Sequence, residues 1–214
     1  VTGTITKTAV STGAELMAYS GYSASNYFEQ PYNSDLDFGT GDFSITGWIK
    51  VAIGASYNFL HRSLAGSAGG ILLQNSADGK IVFYGSGTSA FTAILQSSAI
   101  FATGNWERFT IKRKSSVVSW SLNGVLSNSV ANTTNLTYAS TVLKIGLRHD
   151  TTVSPFAGSL SELHVSNTAP TEAEDLEAYN LEKPLFYPNA LAVLSANAVT
   201  AISHDPVTGL AYVS

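Results

Sequence analysis

Short stretches of strict apolar/polar alternation recur along most of this chain, and this limits its fold more than any other feature. Phe43, Ile45, Ile49 and Val51 alternate with Ser44, Thr46, Trp48 and Lys50. Phe109 and Ile111 oppose Arg108, Thr110 and Lys112, and Val118, Trp120 and Leu122 repeat the pattern. Leu143, Ile145 and Leu147 alternate with Lys144, Gly146 and Arg148, and Leu163 and Val165 with Glu162 and His164. Successive side chains of a strand point to opposite faces, so each stretch reads as a half-buried strand. Residues suited to turns separate them. Gly39 and Gly41 precede the Phe43 strand. Asn75-Ser76-Ala77-Asp78-Gly79 joins Ile71-Leu72-Leu73 to Ile81-Val82-Phe83-Tyr84, with Gly79 at the left-handed position. Phe91 to Leu95 follows as a further strand after the Gly85 to Ser89 loop. Asn123-Gly124 between Leu122 and Val125 is the strongest hairpin signal, because a type I′ turn needs positive φ at both central residues. Many short strands at this spacing indicate a sandwich.

One helix is expected. Pro170 precedes Thr171, whose hydroxyl and the Glu174 carboxylate form a capping-box pattern, with Ala173, Leu176, Tyr179 and Asn180 on one face. The acidic residues around its start read as capping and solubility groups favoured by the helix dipole, rather than as a binding patch. Residues 1–20 read as a lead-in strand. Beyond Lys183-Pro184 the chain becomes apolar and nearly uncharged. There Val199 to His204 and Leu210 to Val213 flank Asp205-Pro206-Val207-Thr208-Gly209 as a hairpin. The division expected is a sandwich over 1–183 and a C-terminal β extension over 184–214, which docks on a partner or is cut short.

At 214 residues the chain suits one large all-β domain, able to bury about 70% of its unfolded surface. It has no cysteine, hence no disulfide framework and no thiolate metal site. Only 12% of residues are charged and the formal net charge is -4. Such a surface suits neutral ligands better than polyanions. The one basic cluster, Arg108 with Lys112, Arg113 and Lys114, reads as a solvated strand end, so nucleic acid is not an expected partner. No apolar run approaches the roughly 20 residues of a membrane-spanning helix. The opening Val1-Thr2-Gly3, neither initiator Met nor secretory signal, reads as the start of a processed or excised piece.

Three blocks of the chain resemble, in order and spacing, the laminin-G-like branch of the concanavalin A-like lectin/glucanase superfamily. They are Phe38-Gly39-Thr40-Gly41-Asp42-Phe43-Ser44-Ile45-Thr46-Gly47-Trp48-Ile49-Lys50, Gly104-Asn105-Trp106 through Asn123-Gly124, and Leu143-Lys144-Ile145-Gly146 through Phe156-Ala157-Gly158-Ser159-Leu160. The resemblance spans roughly residues 20 to 180. It implies a two-sheet antiparallel jelly roll with one short helix after the last strand. It also places Trp48, Trp106 and Trp120 within the blocks, as packing residues.

The Glu-x-Asp-x-Glu pattern of the superfamily's glucanases is absent. The nearest approach is Asp35-Leu36-Asp37, which as a strand would put both carboxylates on one face. Retaining hydrolysis needs two such groups about 5 to 5.5 Å apart. His61, His149, His164 and His204 are scattered, and no Gly-x-Ser-x-Gly elbow accompanies them. The resemblance allows one calcium ion near the rim, and Asp42, Asp78 and Asp150, with carbonyls of Asn75 or Asn123, are candidate ligands; no other cofactor is indicated. Glycan binding needs a flat ring and a few planar or charged groups. Two expected surface loops offer both: Tyr57 and Asn58 with His61 and Arg62, and Arg148-His149-Asp150. Asn132-Thr133-Thr134 and Asn135-Leu136-Thr137 are glycosylation sequons of consequence only in a eukaryotic secretory setting.

The expectation is a non-catalytic lectin-like attachment or decoration module. Its setting would be extracellular: a virion exterior, as tail fibre or head decoration, or a bacterial surface. Its partner would be a cell-surface glycan or another surface protein, within an oligomer or larger assembly. The rivals are a purely structural assembly protein and a polysaccharide hydrolase with an atypical site.

Overall fold

The computed structural model describes residues 1–214 except 53, 64–69, 87–91, 99–100, 102–103, 139, 149–153, 188–201, 205–210 and 214, and only the backbone of 86, 202–204 and 211–213. Numbered along the chain, the strands of the larger sheet lie side by side in this order: β1 (Thr6–Ala9), β2 (Met17–Ser20), β13 (Ser159–Ser166), β4 (Phe43–Lys50), β9 (Glu107–Lys114), β10 (Val117–Leu122) and β11 (Val125–Ala131). The second sheet runs β3 (Phe28–Gln30), β12 (Val142–Ile145), β5 (Tyr57–Ser63), β6 (Gly70–Asn75), β7 (Ile81–Ser86) and β8 (Ala93–Gln96). All pairings between these strands are antiparallel. This is the expected all-β two-sheet jelly roll.

The inward half of each alternation builds the core. Phe43, Ile45, Phe109, Ile111 and Trp120 of one sheet meet Phe59, Leu60, Leu73 and Phe83 of the other, all of them buried. Facing rings interlock across the layers, Phe59 against Phe109 at 5.5 Å and Phe43 against Phe83 at 5.8 Å between centroids. Asn123 and Gly124 take φ of 53° and 75°, and Gly79 takes 82°, as the turn chemistry predicts. The lead-in differs from expectation. Residues 1–20 contain two strands, β1 and β2, paired as a hairpin from Thr6↔Ser20 to Ala9↔Met17.

The larger correction concerns the outer face of the seven-stranded sheet. Trp48 is fully buried there, and Arg108, Thr110 and Lys112 are 6%, 1% and 4% exposed rather than solvated. β4 and β9 lie in the middle of the sheet, and helix α1 (Glu172–Phe186) covers them. The capping box at Thr171 and Glu174 is present. The stripe turned to the sheet, however, is Asp175, Tyr179, Glu182 and Phe186, with Asp175 and Phe186 buried and the other two half-buried, while Ala173, Leu176 and Asn180 are exposed. The sheet selects this stripe. Trp48 stacks on Phe186 at 4.0 Å and on Tyr179 at 5.7 Å, and its Nε1 donates to Glu182 Oε2 at 2.6 Å. Arg108 donates to Asp175 Oδ1 and to Glu182 Oε2. Two of the supposed solubility carboxylates are therefore structural ion-pair partners. α1 also continues through Pro184 to Phe186, which joins Trp48, Trp106, Val10 and Ala18 in a second small core.

At the far C-terminus, β14 (Ile202–His204) pairs antiparallel with β15 (Ala211–Val213), the hairpin expected there. No helix among the described residues is long and apolar enough to cross a membrane.

Candidate functional site

Burial and position separate the expected site residues. Asn58, His61 and Arg62 do not lie in a surface loop. They belong to β5, an inner strand between β12 and β6, and are 2%, 0% and 2% exposed. Asn58 donates to the Ser154 carbonyl and accepts from Gln74 Nε2. Arg62 donates to Asp37 Oδ1 at 2.6 Å. Side chains this buried are out of reach of a surface ligand, so these three groups are structural. Tyr57, at the start of β5, and Arg148, beyond β12, are half-buried. His149 and Asp150 lie outside the described residues.

The hydrolase arrangement does not form either. Ser34–Leu36 is a 3-10 turn rather than a strand, so Asp35 and Asp37 do not share a strand face. Burial works against ionising Asp37, but donors from Arg62, the Tyr138 amide and Tyr32 outweigh it and hold the carboxyl below its ordinary value. That suits a fixed anion and not a general acid.

The calcium candidates are likewise committed elsewhere. Asp42 accepts from the Ser115 amide, and Asp78 pairs with Lys80 at 3.1 Å. Asp42 precedes the eight-residue β4, whereas Asp78 sits in the turn that contacts Gly54 beyond its other end. At about 3.3 Å per residue, that strand separates them by roughly 25 Å. The Asn75 amide donates to the Ala52 and Ala55 carbonyls, and the Asn123 side chain accepts from the Arg108 amide. Among the described residues no three His, Asp or Glu side chains converge as metal ligands. Asp42 and Asp78 therefore do not share a calcium site, and Asp150 lies outside the described residues.

Two open clefts meet instead at Tyr22. The first, of about 390 Å³, lies at the rim where β2 and β4 end and β13 begins, lined by Ser20, Tyr22, Lys50, Gly104, Phe156 and Ser159 among others. Among the described residues Lys50 is the only charged one on its wall. Gly158 shapes it, since a Cβ there would stand 2.3 Å from the Lys50 carbonyl. The second, of about 280 Å³, opens between the sheets at their edge, where Tyr19 and Phe28 face Ile145, Leu160 and Glu162. These volumes are near the lower end of small-molecule sites, about 300 Å³. Tyr22 is 7% exposed and forms the partition between the clefts. Burial, with Tyr19 nearby, pushes its phenol far above the ordinary tyrosine value, so it stays neutral.

Gly146 holds this partition in place. Its φ is +86°, and a Cβ would sit 1.9 Å from the Tyr22 ring. Gly146→Ala is therefore expected to displace Tyr22, lower the melting temperature and broaden or shift the NMR signals of both clefts. An unchanged Tyr22 spectrum would contradict this packing. Periodicity named Ile145, Glu162 and Leu163 only as strand positions and could not bring them to Tyr22, which lies outside any strand, or foresee the bulge at Glu162 and Leu163. The available signal was the concentration of Tyr19, Tyr22, Tyr27 and Phe28 in one short stretch.

Two stacked antiparallel sheets with a rim cleft define a lectin-type sandwich. Residues 22–174 match the Laminin_G_3 model of the concanavalin A-like lectin/glucanases superfamily, and the chain belongs to that family. No curated protein matches the chain in sequence. Among solved structures it is similar to the binding domain of Paraclostridial Mosquitocidal Protein 1, with 14% identity, a TM-score of 0.65, and coverage of 85% of this chain and 46% of that one. The receptor binding domain of the botulinum neurotoxin C/D mosaic serotype gives 14%, 0.64, 85% and 45% in the same order. Domain 4 of an extracellular arabinanase from Geobacillus stearothermophilus, in complex with arabinotriose, gives 18%, 0.60, 82% and 81%. The chain thus spans less than half the length of the first two.

Proposed function

We propose that this chain is a lectin-like module that binds carbohydrate at the rim cleft without cleaving it, and serves attachment on the exterior of a virion or bacterial surface. The observation that carries the reading is the cleft itself. It is open and some 390 Å³ in volume, with serine hydroxyls, glycine backbone and one lysine around an aromatic partition. Sugars are held by this combination of donors, acceptors and ring surface. The arabinotriose complex of domain 4 of the arabinanase is consistent with such a use of this fold, in a chain matched over 81% of its length. Binding is expected to need no calcium, because Asp42 and Asp78 are engaged with protein partners.

A glycan array probed with the chain, with calcium and then with chelator, tests this. Binding should persist in chelator and leave the sugars intact. Ala157→Trp, which adds an indole to the exposed wall of the cleft, should abolish it without unfolding the protein. No binding by the unmodified chain, or undiminished binding by the variant, would remove the rim cleft as the site.

A further inference from the structure

We propose that the edge cleft is a second, separate site that takes an organic cation of the quaternary ammonium class, such as a choline headgroup. Three aromatic residues line it, and their planes are steeply inclined. Tyr19 and Phe28 meet at 5.3 Å and 85°, Tyr22 and Phe28 at 6.3 Å and 67°. Rings set nearly at right angles form a corner rather than the flat platform on which a sugar stacks. A corner of π faces attracts a methylated ammonium, whose charge is spread over its methyl groups and which has no N–H to satisfy.

Among the described residues the one charged group on the wall is an anion. Glu162 is the inserted residue of a β-bulge that shifts the β13–β4 register between Ser161 and His164. Because of the insertion, Leu160 and Leu163 both pack toward the interior, although three positions apart. Glu162 itself takes a φ of +47°, a left-handed conformation that costs energy in a residue other than glycine. Bulges commonly re-aim a side chain at a site. Here the bulge sets a half-buried carboxylate beside the aromatic corner, with only His164, at 3.4 Å, as an ion-pair partner among the described residues. The Tyr19 ring already attracts one cation, Lys7 Nζ, 5.7 Å from its centroid.

Titration of the whole chain with choline chloride, followed by intrinsic fluorescence and saturation-transfer NMR, tests the proposal. The control is the neutral carbon isostere of choline, with tert-butyl in place of trimethylammonium. Choline should bind at least about tenfold more tightly than the isostere, as expected for a cation within reach of several rings. Glu162→Gln should weaken choline several-fold and leave the isostere unchanged. Phe28→Leu, which keeps an apolar side chain and removes the π face, should abolish the preference for the charged form. Equal affinity for both probes, no saturable choline signal, or an unaltered preference in Glu162→Gln would each overturn the assignment. Tyr22 borders both clefts but Ala157 lines only the rim cleft, so the Ala157→Trp variant should bind choline normally and the two sites can fail independently.

Discussion

Asp175→Ala is expected to lower the unfolding free energy by about 3–5 kcal/mol, the usual cost of leaving one member of a buried ion pair alone. The Asp175 side chain is wholly buried and that of Arg108 is 6% exposed, with 2.5 Å between Arg108 NH1 and Oδ1. Oδ1 also accepts from Thr110 Oγ1 at 2.6 Å. Without it the guanidinium keeps the Thr110 hydroxyl, 3.0 Å from it, and Glu182 as its one carboxylate among the described residues, whose side chain is 31% exposed and partly hydrated. Against a typical total of about 5–15 kcal/mol, the loss is large enough to move the urea midpoint visibly. Replacing both members, as Arg108→Met with Asp175→Leu, should recover much of it, since a well-packed apolar pair avoids desolvating two ions. A single-variant loss under about 1 kcal/mol would mean that α1 is not anchored through this pair.

Arg113→Met should cost a similar amount, about 3–5 kcal/mol, for a different reason. Arg113 is fully buried on the core-facing side of β9, yet its hydrogen-bond partners are carbonyls and not a carboxylate. It donates from Nε to Gly41 at 2.7 Å, from NH1 to Thr134 at 2.7 Å and from NH2 to Gly39 at 2.6 Å, with Phe43 5.3 Å below the guanidinium. Burial draws its pKa down from the ordinary arginine value, and the nearby Asp42 acts in the opposite direction. Methionine fills similar space but takes a donor from all three carbonyls, of which only Gly39 keeps another among the described residues, the Leu136 amide at 2.8 Å. Arg113→Lys should restore only part of the stability, because one ammonium cannot reproduce a three-sided planar fork. Equal urea midpoints for the unmodified protein and Arg113→Met would show that the carbonyls find other donors at no cost.

Arg108 and Arg113 belong to the basic cluster that reads as a solvated strand end. Alternation predicts correctly that Phe109 and Ile111 face one way and Arg108 and Lys112 the other. It says nothing about what lies over either face. The outer face is covered by residues more than sixty positions away, and a local pattern carries no information about so distant a partner. For the same reason the apolar positions of α1 misled. Leu176 is 42% exposed because the surface beneath the helix offers an arginine and a tryptophan, for which Asp175, Tyr179, Glu182 and Phe186 are the matching stripe. Asn58, His61 and Arg62 look like loop polarity, and are instead partners that inner strand β5 needs for its neighbours.

The all-β sandwich, most of its strands, the Asn123-Gly124 turn and the capped helix were legible from the residues alone, because alternation, turn conformation and capping are set within a few positions of one another. Which polar groups are buried, which carboxylates are already paired, and that Tyr19, Tyr22, Phe28 and Glu162 enclose a cleft became visible only in the folded chain. Those outcomes depend on how the two sheets and the helix stack, and on a one-residue bulge in β13, and no local rule fixes them.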